Sequence, residues 1–197
     1  MMTVAVLALG YLVGSLPTGL LVVRALTGKD IRAVGSGNIG TVNVYRVAGF
    51  WASVVVLAVD MLKGAAPVVL ARMWGQSAAT QVAGGLAAIA GHNWSLFLRG
   101  RGGKGIATSL GVLLAISPAV GLVAAVVWGV VVAVTRYASL GSLLGMASVP
   151  ITMWWRREPA PHLVFGFITL VFAVYRHRVN LARLVSGTEL KITDKPR

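Results

Sequence analysis

There is no cysteine anywhere in the 197-residue chain. That absence excludes disulfides, thiolate nucleophiles and cysteine-ligated zinc. Histidine is nearly as scarce. His92, His162 and His177 stand too far apart to form a local metal motif, so neither a metal site nor a cofactor is expected. Acidic side chains are the third shortage: five Asp and Glu face eighteen Lys and Arg, a net charge of +13. A soluble chain this basic would suggest nucleic acid as its partner. Yet only 12% of the residues are charged, against roughly 25% in an average soluble domain, and 57% are hydrophobic. Nucleic acid is excluded on that ground, and the lipid bilayer becomes the expected partner.

Charge-free runs organise what is present. Thr3 to Val23 carries no charge, and Val47 to Ala71 is apolar apart from Asp60 and Lys63. Met73 to Leu98 and Gly105 to Thr135 are uncharged as well, the second broken by the turn signal Ser117-Pro118. Tyr137 to Trp155 and Pro159 to Tyr175 complete the set. A bilayer core of roughly 30 Å needs about 20 apolar residues of helix. The pattern predicts one all-α, polytopic membrane domain over residues 1–197 with seven transmembrane helices. The stretch from Gly105 to Ile116 covers only about 18 Å as helix, so it is expected to begin inside the protein.

Basic residues set the expected orientation. Alternating spans put Arg24, Lys29, Arg32 and Arg46 on one side with Arg99, Arg101, Lys104 and Arg136. The tail adds Arg176, Arg178, Arg183, Lys191, Lys195 and Arg197 to that side, while the other holds only Arg72, Arg156 and Arg157. The N-terminus is therefore expected outside and the C-terminus in the cytoplasm. No basic residue precedes the first apolar run, which reads as a span rather than a cleaved signal.

Within "AVGSGNIGTVNVYR", Gly35, Gly37 and Gly40 spell the glycine spacing of a dinucleotide-binding turn, and Asp60 follows twenty residues later. The remaining strands of such a fold are missing, and the run through Asp60 continues as a membrane helix. A Walker A loop fails too, since Leu98 stands five places before Gly103 and Gly105 follows Lys104. Three clusters instead share one side: "GSGNIGTVNVYR", "GHNWSLFLRGRGGKGIATS" and "RHRVNLARLVSGTELK". Glycine-rich backbone ahead of a helix offers free amides and a dipole to an anion, and Lys and Arg add charge. Such sites suit phosphate. The tail also reads as an amphipathic helix on anionic lipid, and Asp60 with Lys63, three apart on one face, as a functional or a mutually satisfied structural pair.

These clusters resemble the three signature motifs of the bacterial acyl-phosphate:glycerol-3-phosphate acyltransferases. "DMLKG" from Asp60 and "SLGS" from Ser139 extend the likeness over nearly the whole chain. The chain departs from the family at Ile39 (usually Pro), Thr41-Val42 (Ala-Thr), Trp94-Ser95 (Phe-Pro) and Arg101 (Lys). The resemblance implies transfer of a fatty acyl group from acyl phosphate to glycerol 3-phosphate, the first acylation step of phospholipid synthesis, at the cytoplasmic face of the inner membrane. It implies no cofactor, and it allows as partner a soluble enzyme that makes acyl phosphate. The alternative is a membrane transporter for a phosphorylated metabolite.

Residue roles follow from that resemblance. Ser36, Lys104, His177 and Asn180 are the expected catalytic set. Arg46, Lys104, Ser142, His177 and Asn180 are expected to bind glycerol 3-phosphate. Acyl phosphate is expected to meet Gly35, Ser36, Gly37, Asn38 and Asn43, together with His92 and the amides of Gly102, Gly103 and Gly105, with Lys104 bridging both phosphates. Asp60, Lys63 and Glu189 are expected to support, Glu189 by anchoring the tail through Arg or Lys. Three proton acceptors stay open: a histidine (His92 or His177), an acyl-enzyme route through Ser36, and the leaving phosphate itself.

Overall fold

The computed structural model describes residues 1–194; Lys195 and Arg197, counted among the basic tail, lie outside the described residues. Those residues form helices and turns without a strand, in agreement with the expected all-α class. The helices are α1 (Met2–Gly14), α2 (Thr18–Thr27), α3 (Thr41–Met73), α4 (Ala78–Asn93), α5 (Ile106–Ile116), α6 (Pro118–Thr135), α7 (Ala138–Trp155), α8 (Ala160–Arg176) and α9 (Arg178–Val185). Three units among them are long and apolar enough to cross a membrane: α1 and α2 taken together, α3, and α6; α8 and α9, bent by 61°, would make a fourth if they form one span.

The elements depart from the charge-free runs in three places. The first run is not continuous, because Pro17 has no N–H to extend α1 and α2 restarts after it. The helix expected from Val47 begins at Thr41, and Gly49 kinks it at φ 84°. The run ending at Leu98 stops being α-helical at Asn93, and Trp94 onward leads into the glycine loop.

Glycine lets α1 and α4 approach backbone to backbone, the small-residue packing typical of membrane helices. A Cβ on Gly14 would lie 2.7 Å from both the carbonyl carbon and the Cα of Ala88, and one on Gly91 would drive into the Tyr11 carbonyl. The Tyr11 hydroxyl donates to the Trp94 carbonyl at 2.8 Å, so this pair of helices also fixes where the glycine loop leaves α4. Helix α5 packs on α3, and α6 on α7. Thr108, near the start of α5, meets Gly64, past the midpoint of α3. The short helix thus begins inside the bundle, and the loop before it is recessed.

Large apolar side chains cover the outside. Trp51 is 77% exposed, and Trp154 and Trp155 at the end of α7 are 75% and 79% exposed, positions that suit tryptophan at a lipid–water boundary.

Candidate functional site

The loop from Asp30 to Gly40 is folded around one side chain. Asn43, in the first turn of α3, is buried. Its Oδ1 accepts the Ser36 N–H at 3.0 Å, and its Nδ2 faces the carbonyls of Val34, Asn38 and Ile31 at 3.0, 2.9 and 3.3 Å. Gly35 has φ 64°, and a Cβ there would collide with Asn43 Oδ1. The Asn38 side chain accepts the Gly40 N–H at 2.8 Å. This corrects the expectation that Asn43 meets acyl phosphate: both ends of its amide already hold the loop. The loop instead leaves the N–H groups of Thr41 and Val42 free at the start of α3. Beside them the Thr41 hydroxyl is buried without a partner. Thr41 is one of the polar residues that the sequence sets around the three glycines of this loop, one place from the family's usual threonine.

The second loop rests on α4. Gly103 donates its N–H to the His92 carbonyl at 2.9 Å, which corrects the expectation that this amide faces an anion. A Cβ on Gly103 would run into the His92 ring, one on Gly102 into the His92 carbonyl, and one on Gly105 (φ 78°) would approach Asn93 Oδ1 at 2.6 Å. Only glycine follows this path. Beyond it the N–H groups of Lys104, Gly105, Ile106 and Ala107 have no acceptor among the described residues, so the start of α5 presents a cluster of free amides. Arg176 holds the loop from behind, donating to the carbonyls of Gly103 and Gly102 at 3.0 and 2.8 Å.

The tail closes the site. Lys104 Nζ donates to Asn180 Oδ1 at 2.6 Å, Asn180 Nδ2 to Glu189 Oε1 at 2.6 Å, and the Ser139 hydroxyl to the same oxygen at 2.8 Å. Glu189 thus joins Asn180 in the tail to Ser139 on α7, and among the described residues it pairs with no Arg or Lys. Arg46 donates to the Lys191 and Leu190 carbonyls at 2.8 and 3.3 Å, and its buried Nε has no partner among the described residues. Ser142 donates to Ala138 in its own helix at 2.8 Å.

Burial pushes the Lys104 ammonium down to about 8; Glu189 opposes the shift, while Arg176, Arg183 and Arg46 add to it. Burial, reinforced by the Lys104 charge, pushes His177 down to about 4 against the pull of the Ala173 carbonyl. His177 is therefore neutral near pH 7. Its Nδ1 lies 2.8 Å from that carbonyl, so Nδ1 carries the proton and Nε2 is the acceptor.

A cavity of about 540 Å³ joins these groups. Ser36, Asn38, Arg46, Lys104 and Gly105 line it, as do Ser142, His177, Asn180 and Glu189. Asn43, Asp60 and His92 complete the sequence-read residues on its wall; Gly35, Lys63 and Gly103 stand behind, and Gly37 and Gly102 line a separate polar cleft. The opposite wall is apolar, with Leu110, Ala124, Trp128 and Met146. Phe50 and Leu57 line the cavity yet are 58% and 36% exposed, so it opens sideways toward the outer apolar surface of the bundle. The arrangement can hold more than one anion beside a long apolar chain.

Known proteins share this fold and much of this sequence. A family model described as "Glycerol-3-phosphate acyltransferase" matches residues 4–187. A protein of that name from Desulforamulus reducens is 44% identical over 98% of this chain and 96% of its own. One from Rubrobacter xylanophilus is 44% identical over 97% and 96%. Among solved structures, PlsY (YgiH), described as an integral membrane glycerol 3-phosphate acyltransferase in its glycerol 3-phosphate form, superposes with a TM-score of 0.92 at 35% identity, covering 97% of this chain and 96% of that one. Its lysophosphatidic acid form gives 0.90 at 34% identity, covering 97% and 95%.

Proposed function

The chain belongs to the glycerol-3-phosphate acyltransferase family, and from that premise we propose that it moves a fatty acyl group from acyl phosphate to the 1-hydroxyl of sn-glycerol 3-phosphate. The products are lysophosphatidic acid and inorganic phosphate. The observation that carries this reading is the cavity itself, with cations and free amides on one wall and apolar side chains on the other. No support comes for a transporter, since the relatives and structures above are named acyltransferases.

The free amides at the start of α5 receive the acyl-phosphate head, and Lys104 bridges it to the phosphate of glycerol 3-phosphate. Arg46, Ser142, His177 and Asn180 hold the second phosphate and the glycerol, with His177 Nε2 accepting from a hydroxyl. Ser36 and the Thr41 hydroxyl orient the reacting groups, while Asn38, Asn43, Gly35, Gly37, Gly102 and Gly103 shape the loops. The glycerol 1-oxygen attacks the acyl carbonyl carbon, the bond from that carbon to the phosphate oxygen breaks, and the hydroxyl proton passes to the departing phosphate. The enzyme then contributes position and electrostatics, which suits a site with four nearby cations and a single carboxylate in the Lys104 network. The topology that fits is seven spans in the inner membrane, N-terminus outside and site facing the cytoplasm, where a soluble enzyme supplies acyl phosphate.

The test is donor choice. Purified protein in detergent, given labelled glycerol 3-phosphate with either palmitoyl phosphate or palmitoyl-CoA, is expected to form lysophosphatidic acid from palmitoyl phosphate alone. Product from the thioester alone would overturn the two-phosphate site.

The pH profile gives a second check. Lys104 titrates at about 8 and acts as a cation, so its competent form is lost as pH rises through that value. The profile of kcat/KM, which reports the free enzyme, is expected to be flat near pH 7 and to fall toward tenfold per unit above about pH 8. In Lys104→Arg the alkaline limb should vanish from whatever activity is left, because guanidinium stays charged.

A further inference from the structure

Asp60 and Lys63 form a close ion pair at 2.7 Å, with side chains 2% and 3% exposed, in the middle of an otherwise apolar helix. Charges at such depth are costly and need a reason. The pair is not closed on itself, because each partner also meets a group beyond it.

Lys63 points away from the cavity and donates to the Leu16 carbonyl at 2.9 Å, in the break between α1 and α2 where Pro17 interrupts the helix. Asp60 lines the cavity, and its Oδ1 lies 3.9 Å from Nδ1 of His92 on the same wall, beyond hydrogen-bond reach but close enough for the carboxylate to attract the imidazole; apart from the ion pair with Lys63, neither atom has a hydrogen-bond partner among the described residues. The His92 ring lies directly under Gly103 and its carbonyl takes the Gly103 N–H. Bonded contacts run from the broken first span through Lys63 to Asp60 and from His92 to the loop that carries Lys104, with the 3.9 Å approach of Asp60 to His92 joining the two.

We propose that Asp60 is a positioning residue for acyl transfer: anchored by Lys63, it fixes the His92 ring beneath Gly103 and so sets the height and tilt of the glycine loop. Asp60 acts through His92 on the backbone that presents Lys104 and the free amides, and it takes no proton in the reaction. The inference rests on the acyltransfer reading above.

The experiment separates position from mere charge balance. In Asp60→Asn/Lys63→Gln both charges are gone together, the glutamine amide still has a donor for the Leu16 carbonyl, and the variant is expected to stay folded. Its kcat is expected to fall about 100-fold, the scale of a misplaced reacting group, with KM for glycerol 3-phosphate changed much less. A purely structural pair predicts parent kcat in this variant, and that result overturns the proposal. His92→Gln, which leaves the ion pair whole, is expected to lose kcat to a similar degree. Adding it to the double variant should cost nothing further, because both changes break the same line. Parent kinetics in His92→Gln, or losses that multiply, overturn the proposal as well. Should the double variant not fold, the same coupling is read between Asp60→Glu and His92→Gln, which keep the ion pair charged. An unmodified protein that makes no lysophosphatidic acid from either donor sinks the acyltransfer reading itself. An active parent with unaffected variants sinks only the role of Asp60.

Discussion

Lys104→Met is expected to lower kcat/KM for acyl transfer by about 1,000-fold or more while the protein stays folded. Methionine keeps most of the length and the apolar stem, so what disappears is the charge that the two phosphates share in the proposed reaction. Removing one donor aimed at developing charge in a dry site costs about 100- to 1,000-fold. In the proposed reaction Lys104 faces both substrates, and its loss also leaves Asn180 Oδ1 without the donor now 2.6 Å away. Stability should hold or rise, because a buried ammonium held down at about 8 is being removed from an apolar setting. Initial rates with palmitoyl phosphate, read beside size exclusion and the thermal midpoint, check both halves. Activity within tenfold of the parent would move the phosphate bridge elsewhere.

A second large effect is expected far from any polar group. Gly14→Leu should destabilise the chain by about 3 kcal/mol, at the upper end of what overpacking costs. The added Cβ meets backbone atoms of Ala88, which cannot rotate away, so α1 and α4 must separate. At about 2–4 °C per kcal/mol for chains of this size, the thermal midpoint should drop by roughly 10 °C. The control is Gly129→Leu on α6, where a Cβ meets nothing within 4 Å and the midpoint should not move. Tryptophan fluorescence during heating in detergent distinguishes the two, and equal midpoints would mean the α1–α4 contact is looser than described.

Much of the site was legible because polar residues are rare in so apolar a chain. Lys104, Asn180 and Glu189 stand up to 85 positions apart, yet rare residue types in three glycine-marked clusters pointed to one place, and there they meet. The engagement of each polar atom was not legible. Asn43 and the Gly103 amide look like ligands on paper, and only the folded loop shows their partners. Arg46 reads as a free cation in sequence, whereas two of its contacts are carbonyls of the distant tail. The broken first span was hidden too: the apolar run passes through Pro17 without a charge, and the donor that repairs the gap comes from Lys63 on another helix.

The sideways mouth at Phe50 and Leu57 has a kinetic meaning. In the proposed reaction one reactant arrives, and the main product departs, within a two-dimensional fluid, while only glycerol 3-phosphate and inorganic phosphate exchange with water. Turnover then follows the mole fraction of donor in the lipid phase rather than moles per litre. Adding inert detergent or lipid at constant total donor dilutes the surface and slows the enzyme, although nothing in the aqueous phase has changed.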